Sequence, residues 1–233
     1  MTGGKTTMEK IVLIGDSIAK GIIYSSELGR YTHKCESFIH LFCREEGFEL
    51  SDHALYGCNI RKAIQLASRH RGDAAGSRAV LLMLGSSDCG YDWETVCKAP
   101  SGEHMCCTPP SQFYEEYGRL IKFVRELGAK PIMFNMTPVS GTKYLDWLGR
   151  KYSREKILEF LGCPERLEQC NEMYSLLLQR IAENCGVPIV DIRSALLPGK
   201  DISGLLCPDG IHPGAEAHRL IYSAVKGSLK ELL

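Results

Sequence analysis

No apolar run in this 233-residue chain approaches the ~20 residues of a membrane-spanning helix. Neither sign of charge predominates: 28 Lys and Arg stand against 28 Asp and Glu. The first absence argues against helical membrane insertion. The second removes the net field that a nucleic acid or an anionic lipid surface would attract. The opening "MTGGKTTMEK" has no apolar core of the signal-peptide kind. Residues 1–9 are therefore expected to be a flexible leader in a cytoplasmic protein, with Met8 as a candidate alternative start. "GGKTT" carries the tail of a phosphate loop, but the Gly-x-x-x-x-Gly-Lys frame and a preceding strand are missing. Gly-x-Gly-x-x-Gly, His-Glu-x-x-His and Gly-x-Ser-x-Gly are also absent. There is no Cys-x-x-Cys, and the 11 cysteines are odd in number. They read as reduced thiols used as small hydrophobes rather than a disulfide framework or a zinc site.

What is present suits one compact domain, residues 10–233, with 44% hydrophobic residues and a sizeable core. Short apolar runs alternate with helical patterns. Strands are expected at Lys10–Ile14, Phe48–Leu55, Ala79–Leu84, Pro131–Asn135 and Val187–Asp191. Helices are expected at Lys34–Glu46, Ile60–Arg69, Ser111–Leu127, Pro164–Cys185 and Gly214–Leu233. This alternation predicts an α/β fold, a parallel sheet covered by helices on both faces. Two segments depart from it. Cys89–Pro110 shows no periodicity and is rich in Gly and Pro, the pattern of a long functional or mobile connection. Met136–Gly162, with Tyr144, Trp147 and Tyr152, predicts one or two extra helices over the carboxyl end of the sheet.

Ligands of open α/β sheets sit beyond the carboxyl ends of the strands. Three short segments emerge there: Gly15-Asp16-Ser17, Tyr56-Gly57-Cys58 and Gly85-Ser86-Ser87-Asp88. A fourth, Asp209-Gly210-Ile211-His212, immediately precedes the last helix. A serine hydroxyl needs a base to become a nucleophile, and a histidine serves best when a carboxylate fixes its tautomer. Residues three apart in a tight turn can meet, so one loop can supply both Asp209 and His212. Asp16 reads as a turn and helix-entry residue rather than a catalytic one.

Taken in order, these segments resemble the blocks of the SGNH (GDSL-type) hydrolases over nearly the whole chain. Stretches such as "DCGYDWETV" and "EHMCCTPP" look like those of small, uncharacterised bacterial members. The resemblance implies a flavodoxin-like three-layer α/β/α sandwich whose five-stranded parallel sheet is ordered 2-1-3-4-5. It implies Ser17 as nucleophile, His212 as base and Asp209 as its partner, with an oxyanion hole from the Ser17 and Gly57 amides. The family's third block is Gly-x-Asn-Asp, and Ser87 stands here at the asparagine position. Asp88, Tyr91, Trp93, His104, Tyr144 and Trp147 are candidate substrate-lining residues. No cofactor or metal is expected, and the partner is a small-molecule acyl ester. An acetylated sugar is the first choice, because aromatic and polar loops suit carbohydrate. A lysophospholipase or thioesterase is the alternative enzyme. A binding module that has lost turnover is the alternative from another class, and Ser87 is its support.

Overall fold

The computed structural model describes residues 8–33, 35–198 and 201–233. Residues 1–7 of the expected leader, and Lys34 at the start of one expected helix, lie outside the described residues.

The chain opens with β1 (Lys10–Gly15), followed by a short hairpin of β2 (Ile23–Ser25) and β3 (Arg30–Thr32). Helix α1 (Phe38–Glu46) leads to β4 (Glu49–Asp52), then α2 (Ile60–Arg69) and α3 (Arg71–Ala75). Strand β5 (Ala79–Met83) is followed by α4 (Trp93–Lys98) and α5 (Pro110–Glu126). After β6 (Lys130–Phe134) come α6 (Gly141–Leu148), α7 (Arg154–Leu161) and α8 (Glu165–Cys185). The chain ends with β7 (Ile189–Val190), α9 (Ile202–Leu205) and α10 (Ala215–Leu232).

Five strands form one parallel sheet in the order β4-β1-β5-β6-β7. Counted by sheet strands alone, this is the expected 2-1-3-4-5. The two-residue period of β1 divides the core. Ile11 and Leu13 pack with Leu81, Ile132 and Phe134 against α1 and α10. Val12 and Ile14 pack with Val80 and Leu82 against α2, α5 and α8. Every residue of β5 is buried, so β5 reads as a continuous apolar run rather than an alternating one. Each of its Val, Leu and Met side chains contributes roughly 1.5–3 kcal/mol of burial.

The expected edge strands are shorter than their apolar runs: Phe48–Leu55 forms a strand only over Glu49–Asp52, and Val187–Asp191 only over Ile189–Val190. An edge strand has a ladder partner on one side only; beyond Asp52 only the His53 and Leu55 amides still reach β1, at Leu13 O and Gly15 O.

The 89–110 segment is not structureless. Asp92 caps α4, accepting from the Glu94 and Thr95 amides at 3.1 and 3.3 Å. Trp93 and Val96 of α4 join Leu145, Leu148, Ile157, Leu161 and Leu167 in a third small core beyond the carboxyl ends of the strands. Helices α6 and α7 are the two extra helices expected between 136 and 162. The return of the segment is tied to the loop after β5, with Thr108 N donating to Asp88 O at 3.1 Å and Cys107 N to Gly90 O at 2.8 Å.

Asp88 anchors that junction from inside. Its side chain is fully buried and accepts from the Ile60 amide at the start of α2 at 3.0 Å. Its other oxygen is buried with no hydrogen-bond partner among the described residues. Burial outweighs the amide and pushes the carboxyl up to about 6. An unfolded Asp titrates near 3.9, so between there and pH 6 the folded state holds the extra proton. Stability from this group therefore falls as pH rises through that window and stays low above it, by up to about 3 kcal/mol. Asp88→Asn keeps the acceptor for Ile60 without the charge. Denaturant titrations at pH 4.5 and 7.5 are expected to show the variant gaining on the wild type at the higher pH; a gap independent of pH would place the charge cost elsewhere.

Candidate active site

Strand β1 delivers the first element of the site. Gly15 lies so close to β5 that a Cβ there would stand 3.1 Å from Met83 O and 2.5 Å from the Ala19 Cβ. Asp16 N donates to Met83 O at 3.1 Å, continuing the ladder by one residue. The chain then turns, and Asp16 Oδ1 accepts from the Ile18 and Ala19 amides at 2.9 and 3.4 Å. Burial pushes the Asp16 carboxyl up, and these amides offset part of the rise. Asp16 thus has the turn-forming contacts read from the sequence, and the turn lifts Ser17 to the sheet edge.

The Asp209–His212 loop meets Ser17 from the far end of the chain. Asp209 Oδ1 accepts from the Ile211 and His212 amides at 2.9 and 3.0 Å, which closes a tight turn. Its Oδ2 accepts from His212 Nδ1 at 2.6 Å. With that nitrogen as donor, Nε2 carries the lone pair, and it lies 2.7 Å from Ser17 Oγ. Asp209 is wholly buried and His212 is 4% exposed. Burial alone would raise the Asp209 carboxyl; His212 and the two amides outweigh it and hold the group below its ordinary value. Asp209 therefore stays ionised facing the imidazole. Gly210 is the hinge of this turn. Its φ is +71°, and a Cβ there would stand 2.7 Å from Ser140 O and 2.6 Å from Tyr144 N. Ser140 N donates to Gly210 O at 2.8 Å, so the start of α6 braces the loop.

Ser17, Gly57, Ser87 and His212 line one cleft of about 230 Å³. Of the expected wall residues, Tyr91, Trp93 and Tyr144 line it too. The Trp93 indole donates to the Tyr144 hydroxyl at 3.3 Å, so the same residues anchor the third core and form the wall. Trp147 lies instead in an adjoining open groove with Tyr24 and Tyr31. Two expectations are corrected. Asp88 is buried at the α2 junction and lines no part of the cleft, because its carboxyl is committed to the Ile60 amide. His104 is held to Ala99 O at 2.7 Å and packs on the Phe160 ring, which lies between it and Tyr91, and it does not line the cleft. Behind the cleft, sharing Ser86, Gly90, Tyr144 and Ile211 with it, lies a further pocket of about 30 Å³.

Sequence reasoning missed Tyr31. From β3 its hydroxyl donates to Asp209 Oδ2 at 2.9 Å, and its ring lies 5.2 Å from that of His212. Burial and the Asp209 charge push its phenol well up, which keeps it a donor. The available signal was a hairpin one: β-branched and aromatic pairs, Ile23-Tyr24 and Tyr31-Thr32, flank a polar turn containing Gly29. Among the described residues, His53, His70 and Asp73 bring potential metal ligands together, and none of the three lines the cleft.

The sequence profile of the GDSL-like lipase/acylhydrolase family matches residues 13–220. No curated protein matches the sequence. Solved structures share the fold at low identity. The lipase/acylhydrolase of Enterococcus faecalis is 17% identical, with 95% of this chain and 97% of that one covered at a TM-score of 0.65. The acetyl xylan esterase AlAXEase is 16% identical over 94% and 99%, at 0.63. TesA is 17% identical over 97% and 100%, at 0.61.

The hydrogen-bonded chain predicts a reactive Ser17. Phosphonylation by a fluorophosphonate probe is expected to vanish in Ser17→Ala and to fall roughly 10³-fold in His212→Ala. Tyr31→Phe, which leaves His212 bonded to Asp209, should slow it less than about tenfold. Labelling of Ser17→Ala at wild-type rate, read by intact mass, would remove Ser17 from the role.

Proposed function

The chain belongs to the GDSL-like lipase/acylhydrolase family, and from that premise we propose that it is a serine esterase removing short acyl groups, with acetyl on a carbohydrate first among them. Ser17 Oγ attacks the ester carbonyl while His212 Nε2 takes its proton. Asp209 holds the imidazole by Nδ1 and stabilises the imidazolium that forms. The Ser17 and Gly57 amides, with the side chain at position 87, face the developing oxyanion. His212 then protonates the departing alcohol, and a water deprotonated by His212 releases the acid from the acyl-enzyme. The residues named suffice for these steps without a cofactor. The reduced-thiol reading of the cysteines supports a cytoplasmic location, and no helix among the described residues is long and apolar enough to cross a membrane.

One observation carries this reading: the Ser17–His212–Asp209 hydrogen bonds, 2.7 and 2.6 Å, open into a cleft whose inner extension holds only about 30 Å³. So small a recess supports a short acyl group. A p-nitrophenyl ester series from acetyl to octanoyl tests it. Each methylene that does not fit should cost roughly 1–3 kcal/mol in the barrier, so kcat/KM is expected to fall with length. A flat or rising series would overturn the short-acyl reading and favour a lipid or thioester substrate. Activity absent on all chain lengths, with no fluorophosphonate labelling, would favour the binding module.

Ser87 gives an independent check. An asparagine amide reaches about one bond farther from the backbone than a serine hydroxyl. One oxyanion donor is typically worth about 10²–10³ in kcat. Ser87→Asn is therefore expected to raise kcat with KM changing less, while Ser87→Ala costs little. A drop near 100-fold in Ser87→Ala, with no gain from Asn, would make the serine hydroxyl itself the working donor.

A further inference from the structure

On the esterase reading, the small recess beyond Gly90 and Tyr144 takes the acyl group. The alcohol half of the ester must then lie elsewhere, with its leaving oxygen beside His212. His212 hands its proton to the departing oxygen, so that oxygen and its substituents lie beside the imidazole. Tyr31 flanks His212 at 5.2 Å between ring centres and also lines the neighbouring groove of about 450 Å³. Tyr56, which lines the cleft, flanks the same imidazole at 6.3 Å and packs on Tyr31 at 5.4 Å, so an alcohol that leaves on the Tyr31 side of His212 reaches that groove.

The groove has a definite chemical character. Tyr24, Tyr31 and Trp147 form its aromatic walls, with Tyr24 and Tyr31 edge-on to Trp147 at 4.5 and 6.0 Å. Arg150 sits over the indole with its guanidinium carbon 4.1 Å from the ring centre. Gly29, Arg30 and Lys151 complete the lining, which has no acidic side chain among the described residues. Among the described residues, no carboxylate lies within ion-pair distance of Arg30, Arg150 or Lys151. Lys151 Nζ lies 4.9 Å over the Tyr152 ring, and Glu94, the acid acting on it, is bonded to Lys98 at 2.7 Å. Three basic residues thus line one groove, none of them ion-paired among the described residues, in a chain whose formal charge is zero.

Resting on the esterase reading, we propose that this groove holds the alcohol half of the substrate and that the alcohol carries an anion, a phosphate or a carboxylate. Guanidinium groups bind either through paired N–H donors, and arginine stacked on an aromatic ring is pre-organised for it. Tyr24, Tyr31 and Trp147 accommodate the sugar-like body that links the anion to the ester. The neutral cleft around Ser17 then sets the acyl group and the charged groove sets the alcohol.

The test compares mono-acetyl esters of methyl glucoside, of methyl glucoside 6-phosphate and of methyl glucuronide. We expect kcat/KM about tenfold or more higher for at least one anionic ester than for the neutral one. High salt should erode that preference by screening. In Arg30→Gln/Arg150→Gln the ratio of anionic to neutral kcat/KM is expected to collapse toward one. Should that double variant fail to fold, Lys151→Gln and the salt titration of the wild type read the same ratio. A calorimetric titration with deacetylated methyl glucoside 6-phosphate, methyl glucuronide and methyl glucoside measures the groove without turnover. Phosphate ahead of glucuronide, or the reverse, identifies the anion. Equal kcat/KM and equal binding for neutral and charged compounds, or a preference that survives in the double variant, would overturn the proposal. Tighter binding of an anionic glycoside with no ester hydrolysed would uphold the groove and sink the esterase reading instead.

Discussion

The hydrogen bond between Ser17 and His212 is the constraint on which the rest of the site depends. It joins residues 195 positions apart, and neither loop reaches the other unless the sheet and its covering helices are in place. β1 must end beside β5 for Asp16 to bond Met83 O and for the turn to present Ser17. The Asp209–His212 turn must enter α10, whose Ala217, Ile221, Val225 and Leu229 are buried on the same face as Ile11 and Leu13. Nearly all of the chain is therefore spent on holding two side chains 2.7 Å apart.

A buried carboxylate is costly, and Asp209 illustrates how the fold compensates. It is wholly enclosed, yet it accepts from two amides, the imidazole and the Tyr31 hydroxyl. Four donors replace the lost hydration, and the group remains charged. Asp88 is equally buried but has one backbone donor, and its carboxyl is pushed up to about 6. Two aspartates of the same motif set thus diverge because of the donors their loops supply. Asp16 belongs with the turn rather than with either.

Beyond the strand ends, α4, α6 and α7 pack through a core of their own. This cluster stiffens residues that would otherwise be loop side chains. Trp93 and Tyr144 are fixed by one hydrogen bond to each other and form the cleft wall. The same helices brace Gly210 through Ser140, so the wall and the Asp209–His212 turn are one mechanical unit. Rigid support of this kind suits a site whose bonds must be held within a few tenths of an ångström.

The sequence by itself determined the central strands, because β1 and β5 are buried on both faces and so appear as unbroken apolar runs. It determined the long helices by their period, and the four polar segments by their order along those strands. The acyl hydrolase family was legible for the same reason: its blocks are local in sequence and each follows its own element. What only the tertiary structure decided depends on contacts between distant segments. The β2–β3 hairpin is three residues a side, so its β-branched and aromatic pairs signal a turn but not a partner, and the role of Tyr31 became visible only when its hydroxyl met Asp209. Helix α4 buries just Trp93 and Val96, and two apolar residues make no period. Asp88 and Ser87 are neighbours in one motif, yet one turns inward to α2 and the other faces the cleft. Residue type names the groups able to do chemistry; which of them meet depends on packing, since burial and direction are properties of the folded surroundings.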